Sequence, residues 1–215
     1  MAGFFIGLHA LNAAAHTASG REYHVAIHGD NANDGTAGRP LNTIQAAADR
    51  AQPGDVVIVH AGTYREAVNP PRGGRSDSQR IVYRAAAGAN VIIKGSEPAQ
   101  GWVRVQNDTW KLTLPDSFFG DFNPFKQVIK GDWFRPKGRT HRRGAVHLDE
   151  HWMKEAVSLE AVLEPQGAEP FWYVPSDKAT SDNGSDKTTL YAQFKGVDPN
   201  RANVEISARE TCFYP

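Results

Sequence analysis

The sequence predicts an all-β protein in two parts, short strands that recur in pairs followed by an antiparallel β-sandwich. Three observations predict it. Short runs rich in Val, Ile and Tyr recur along the chain, each bounded by Gly, Pro, Asn or Asp. One pair of such runs starts at residues 56 and 64 and a second at 81 and 91, a repeat of about 26 residues. Beyond Glu97 the runs lose that pairing and are separated by turn signals, as in a sandwich. The 215 residues are 40% hydrophobic and 22% charged, enough to bury a sizeable core and unlike a disordered chain. Lys and Arg total 24 against 24 Asp and Glu, so charge gives no reason to expect nucleic acid or membrane as a partner. A single cysteine, Cys212, excludes an internal disulfide framework and a cysteine-rich zinc site, and it fits a reducing cytoplasm better than export.

Residues 1–20 hold an apolar stretch over 4–11 and small residues over 13–18. The stretch is too short to span a membrane and lacks the positive flank of a secretory signal. Residues 1–20 read as a disordered extension or a degraded signal and are set apart from the fold. Residues 22–27 form a β-type run, followed by a polar turn cluster over 29–38. After Pro40, the residues Ile44, Ala47, Ala48 and Ala51 share one face of a short helix that Pro53-Gly54 ends. Its alanine face allows a close approach, and its length demands tertiary packing. Strands are expected at 56–59, 64–68, 81–84 and 91–94. Two strands per repeat suit successive coils of a parallel β-helix, and two hairpins give similar spacing. Further strands are expected at 102–105, 110–114, 146–148, 154–157, 171–174, 188–194 and 204–207, with a boundary near Ser96-Glu97 and a tight turn at 181–185.

Each candidate for chemistry has a plainer explanation beside it. His147, Glu150 and His151 fit H-x-x-E-H, a zinc-protease pattern that requires a helix to bring both imidazoles to one face. The residues before it offer no helix cap and alternate like a strand, so a turn is expected and no metal site. Arg135, Lys137, Arg139, His141, Arg142 and Arg143 form a basic run, read as a solvated loop because Pro136 and Gly138 interrupt it. Asp30, Asn31, Asn33 and Asp34 bunch as calcium ligands do, but without EF-hand spacing, and Asx turns explain them. Residues 117–125 carry Phe118, Phe119, Phe122 and Phe125, and Trp133 follows. So aromatic a loop packs in the core or walls a sugar. Neither a nucleophile motif nor a cofactor motif is present, and no pair of carboxylates is singled out by spacing.

A resemblance carries further. Glu22–Val25, Asp34-Gly35-Thr36, Pro40, Pro53-Gly54-Asp55 and the run from His60 to Glu66 resemble the opening of right-handed parallel β-helix carbohydrate enzymes. Lys94-Gly95-Ser96-Glu97, Ser117-Phe118-Phe119-Gly120, Phe122-Asn123-Pro124, Gly131-Asp132-Trp133, Asp198-Pro199-Asn200 and Cys212-Phe213-Tyr214-Pro215 resemble glycoside hydrolase family 120, whose characterised members are β-xylosidases. The resemblance implies β-helix coils over residues 21–96, an inserted antiparallel β-sandwich over 97–204 and a return into the β-helix over 205–215. It also implies a hairpin at 146–156 in which Asp149-Glu150 replaces Asn-Gly, a poorer pair for a type I′ turn.

Hydrolysis in that family resembles the retaining two-carboxylate scheme, with an Asp nucleophile and a Glu acid/base. The resemblance puts both on later coils, so no catalytic residue is carried onto this chain, and 215 residues alone are expected to be silent. Phe122, Asn123, Asp132 and Trp133 are carried over as substrate-binding candidates, with xylo-oligosaccharide as the partner and no cofactor. The exposed end of so few coils is expected either to associate or to be supported by further chain, so a homo-oligomer is compatible with the reading. A β-helix polysaccharide lyase and a non-catalytic carbohydrate-binding module are the alternatives.

Overall fold

The computed structural model describes residues 20–175 and 186–214. The turn expected at 181–185 and nearly all of the 1–20 segment lie outside the described residues. The chain runs through β1 (Glu22–Val25), helix α1 (Ile44–Arg50), β2 (Val56–Val59), β3 (Gly62–Tyr64), β4 (Val82–Ala85) and β5 (Val91–Ile93). β1, β2 and β4 stack as one parallel ladder, Glu22 beside Val56 and Val56 beside Val82. β3 and β5 stack as a second, Gly62 beside Val91. The parallel pairing makes the repeat a β-helix and excludes hairpins. Alternate residues point into the coil: Tyr23, Val25, Val57, Val59 and Tyr64 are buried together with Ile44, Ala47 and Ala48 of α1.

Seven helical residues do not hold alone, and α1 is fixed at both ends. Thr43 Oγ1 accepts the Ala46 N–H at 3.2 Å, and the Glu66 carboxylate accepts those of Ile44 and Gln45 at 2.9 and 2.8 Å. Arg72 donates to the carbonyls of Asp49 and Ala51 at the other end, both at 2.8 Å. Presenting Glu66 to the helix also explains why the strand expected at 64–68 stops at Tyr64, leaving Val68 in one bridge with Phe213. The last coil leaves an apolar recess of about 430 Å³ walled by Val59, Tyr83, Val91, Ile93 and Phe213. The Tyr83 hydroxyl lies buried there without a hydrogen-bond partner among the described residues, and burial pushes its pKa up.

The second part contains β6 (Ser96–Pro98), β7 (Val103–Gln106), β8 (Thr109–Pro115), β9 (Val146–Leu148), β10 (His151–Trp152), β11 (Lys154–Glu155), helix α2 (Leu159–Leu163), β12 (Phe171–Tyr173), β13 (Lys187–Gln193) and β14 (Val204–Ser207). They form a four-stranded sheet in the order β10-β9-β14-β6 and a five-stranded one in the order β11-β12-β13-β8-β7. β13 and β8 pair along their whole length, from Lys187 opposite Pro115 to Gln193 opposite Thr109. Leu112, Leu190, Ala192, Val146, Val204 and Ile206 fill the space between the sheets. Aromatic rings lock edge to face there, Trp102 on Phe194 at 5.0 Å and Phe125 on Trp172 at 5.5 Å. α2 is too short to leave a period in the sequence. It is held from outside, its Val162 carbonyl accepting from Thr109 Oγ1 at 2.6 Å and its Leu163 carbonyl from Asn107 at 3.1 Å.

The H-x-x-E-H segment is a hairpin, as the resemblance implied. Asp149 (φ 48°) and Glu150 (φ 67°) take the left-handed conformations of its turn. His147 lies opposite Trp152 and His151 opposite Leu148. Cross-strand partners share a face and successive residues do not, so the two imidazoles lie on opposite faces of the sheet.

The two parts meet where β6 leaves and β14 returns, with Ser96 opposite Ser207 and Pro98 opposite Glu205. Gly95 O then accepts the N–H groups of Ala208 and Arg209, and the Cys212 carbonyl accepts that of Val68 at 2.9 Å. Glu205 sits at this seam with its side chain 9% exposed. Its carboxylate accepts Arg65 Nη2 at 2.6 Å, Lys94 Nζ at 3.0 and 3.1 Å and Ser96 Oγ at 2.7 Å. Burial alone would raise its pKa, but the bonds from Arg65, Ser96 and Lys94 outweigh that and hold it at about 2.

Glu205→Gln should therefore destabilise the chain by roughly 2 kcal/mol, since it leaves two half-buried cations without their counter-charge. Because the folded pKa is depressed, this stabilisation is complete above the ordinary carboxyl range near 4.5 and fades as pH falls towards 2. Thermal melts should show the wild type converging on the variant between those values. An equal gap at pH 7 and pH 2.5 would refute the assignment.

Candidate functional site

The segment between β8 and β9, residues 116–145, is the longest connection in the sandwich and carries the residues singled out above. Its first turn is organised by Asp116. The carboxylate pairs with Lys126 and accepts Thr188 Oγ1 at 2.7 Å and Asn123 Nδ2 at 3.1 Å. Burial works against the charge, but those three partners hold the carboxyl below its usual range. Asn123 also donates to Thr188 Oγ1 at 2.7 Å and accepts the Phe125 N–H at 3.1 Å. Its amide is thus committed to the loop. Phe122, next to it, is half-buried beneath the Arg143 guanidinium, 4.9 Å from the ring centre.

Asp132 and Trp133 sit on a separate turn closed by the Phe134 N–H on the Gly131 carbonyl at 3.2 Å. Both are exposed, Trp133 by 74%. The indole meets Phe134 at 5.7 Å between centres, and Phe134 meets the His141 ring edge-on at 5.3 Å. That chain of rings leads to a cleft of about 540 Å³ between the loop and strands β10 to β12. Glu155 lies in its wall, with 11% of the side chain exposed. Both carboxylate oxygens accept the Arg142 N–H at 3.2 Å, and His141 and Arg139 approach to 3.8 and 4.0 Å. Burial pushes the Glu155 pKa up, and Arg142, Arg139 and His141 offset only part of that. Trp152 stands at the rim, 74% exposed, its ring tilted 32° over His147 at 6.2 Å. Burial lowers the His147 pKa, opposed in part by the charge of Glu205.

The basic run is therefore not uniformly solvated. Arg139, His141 and Arg142 are half-buried around Glu155, while Arg135 and Lys137 remain exposed. The signal in the sequence was the run itself, which cannot pack against a domain without a carboxylate to receive it. Asp30 and Asp34 accept the N–H groups of Ala32 at 2.8 Å and Thr36 at 3.1 Å in Asx turns, whereas Asn31 Oδ1 accepts those of Asn42 and Thr43 at 2.9 and 3.1 Å and so ties the loop to the segment before α1. Chemically, the 116–145 loop and the cleft beside it offer two exposed indoles, Trp133 and Trp152, half-buried cations and the protected Glu155 carboxylate, an arrangement suited to stacking on and hydrogen-bonding a sugar ring.

Residues 99–206 match the family model described as the glycoside hydrolase 120 insertion domain, which is half of the chain. The chain belongs to glycoside hydrolase family 120. Residues 27–70 of this family-120 chain match a second model, described as a protein of unknown function (DUF1565). A solved structure described as the complex of XylC with xylose is 40% identical, with a TM-score of 0.84 over 90% of this chain and 32% of that one. A curated relative, the uncharacterized protein YwoF of Bacillus subtilis (strain 168), is 32% identical over 81 residues, 38% of this chain and 17% of its own. The chain thus spans about a third of the XylC chain and less of YwoF.

The geometry around Asn123 makes a structural demand that can be measured. Asn123→Ala removes one acceptor and two donated bonds, and should cost about 1–3 kcal/mol in chemical denaturation. A loss under about 0.5 kcal/mol would mean that the amide is free for a ligand.

Proposed function

We propose that these residues are the N-terminal, insertion-bearing part of a retaining β-xylosidase that releases xylose from the non-reducing ends of xylobiose and longer xylo-oligosaccharides. The observation that carries this reading is the likeness to XylC, whose structure holds xylose, at 40% identity across nine-tenths of the chain. In the retaining scheme one carboxylate attacks the anomeric carbon while the other protonates the leaving oxygen and later activates water. The two best-shielded glutamates described here are committed elsewhere, Glu205 to Arg65 and Lys94 and Glu155 to the Arg139–Arg142 segment. We therefore assign the catalytic pair to the part of the longer protein that this chain does not span. What these residues contribute is a scaffold and a binding wall.

Trp133 is the residue we place against the sugar. An indole 74% exposed on a turn braced by Phe134 presents a flat apolar face, which matches the apolar face of a pyranose. Asp132 precedes it on the same turn and is placed to accept a sugar hydroxyl. Phe122 and Asn123 shape the loop from beneath.

In the enzyme that carries these residues, Trp133→Ala should lower kcat/KM for xylobiose about tenfold, the loss of roughly 1.4 kcal/mol of transition-state binding. An unchanged kcat/KM would remove Trp133 from the site. Release of xylose from xylobiose tests the activity itself. A calcium-dependent, unsaturated product from pectin in its place would overturn the reading in favour of a lyase.

A further inference from the structure

We infer that the face formed by residues 130–143 selects saccharides that carry a carboxylate, namely oligosaccharides substituted with a uronic acid. This rests on the sugar-contact reading of Trp133 and goes beyond it by naming a substituent.

Two consecutive turns build the face. In the first, Arg135 Nη1 donates to the Asp132 carbonyl at 3.1 Å, so the guanidinium lies over the turn that presents the Trp133 indole. The second is closed by the Arg139 N–H on the Pro136 carbonyl at 3.2 Å, with Lys137 (φ 52°) and Gly138 (φ 75°) at its corners. Two left-handed corner residues make a type I′ turn, which places Lys137 at an exposed tip. Indole, guanidinium and ammonium are thus displayed from adjacent turns of one loop.

The charge balance then decides what they meet. The segment holds Lys130, Arg135, Lys137, Arg139, Arg142 and Arg143 against the single acid Asp132, in a chain whose formal charge is zero. Three of the cations are committed. Arg139 lies by Glu155, Arg143 pairs with Glu210 at 2.7 Å, and Arg142 donates to the Phe125 carbonyl at 2.7 Å. Lys130, Arg135 and Lys137 are exposed and have no acidic partner among the described residues. A neutral saccharide stacked on Trp133 would leave these charges uncompensated and partly desolvated beside it. A uronate would supply the counter-charge and accept a two-pronged bond from Arg135. The neighbouring cleft adds no free cation, since Arg139 and His141 in its wall face Glu155 and Lys154 pairs with Glu169 at 2.6 Å, so the counter-charge is asked of the exposed loop alone.

The test is calorimetric titration of the chain with three probes. These are xylotriose, xylotriose bearing one glucuronic acid, and a tetraglutamate peptide that offers charge without sugar. The uronate-bearing saccharide should bind about fivefold tighter than xylotriose at low ionic strength, and the advantage should fall below about twofold in 0.5 M salt. Arg135→Ala with Lys137→Ala should bring the two saccharide affinities together. Arg135→Lys with Lys137→Arg, which keeps both charges but removes the two-pronged donor at position 135, should keep only part of the difference. Equal affinities in the wild type would overturn the proposal and leave the sugar-contact reading intact. Failure of both saccharides to bind would overturn the two together. Peptide binding as tight as that of the uronate saccharide would show a patch that reads charge alone, which also overturns the proposal.

Discussion

The seam at Glu205 is the constraint on which the rest of the structure depends. The β-helix and the sandwich bury separate apolar clusters, one around Val25, Val57 and Ile44 and the other around Trp172, Phe125 and Ile206. Polar side chains tie one to the other. Arg65 and Lys94 come from the β-helix part, and they converge on a carboxylate held in the central region of a sandwich sheet by β14. Arg65 also donates to the Ser96 carbonyl at 2.7 Å, and Glu97 pairs with Arg209 across the same junction. A charged seam of this kind fixes orientation. Apolar faces slide at little cost, but a carboxylate filled by three donors tolerates one geometry. The orientation of the 116–145 loop relative to the coils is set there.

Much of the fold was legible because its signals are local. The strands at 56–59 and 204–207 were bounded correctly by their runs of Val and Ile and by the flanking turn residues. The helix was legible in the spacing of Ile44, Ala47 and Ala48. What the residues left open was pairing. A repeat of two short strands serves a coil or a hairpin, and only the parallel register of β2 with β4 separates them. The resemblance was needed to choose. β6 and α2 escaped for a related reason. Each is held by distant partners, β14 for one and Thr109 for the other, and neither leaves a period of its own.

The site was less legible than the fold, because charge in a sequence does not reveal its partner. Arg139, His141 and Arg142 read as solvated, yet they close over Glu155, a residue sequence reasoning passed over as one more strand position. Asn123 read as a sugar contact, yet its amide is spent on Asp116, Thr188 and Phe125. In both cases the partner lies in a different element, beyond the reach of any local pattern. Trp133 was singled out by its aromatic neighbours and by the Gly131-Asp132-Trp133 motif of the resemblance, and the structure leaves its indole exposed.

That exposure has a physical logic. The chain has five tryptophans and buries two of them, Trp102 and Trp172, almost completely, each with its indole N–H on a carbonyl. It therefore has the means to bury aromatic surface, and Trp133 and Trp152 stand out against that background. Their supports are ordered. Asp116 and Asn123 fix the start of the loop, Glu155 fixes its end, and Phe134 with His141 props the indole between them. A ring held this way has already given up the freedom that a flexible loop would lose on binding. For the proposed sugar contact, the favourable part of the interaction, removal of two apolar faces from water, is then what the ligand supplies.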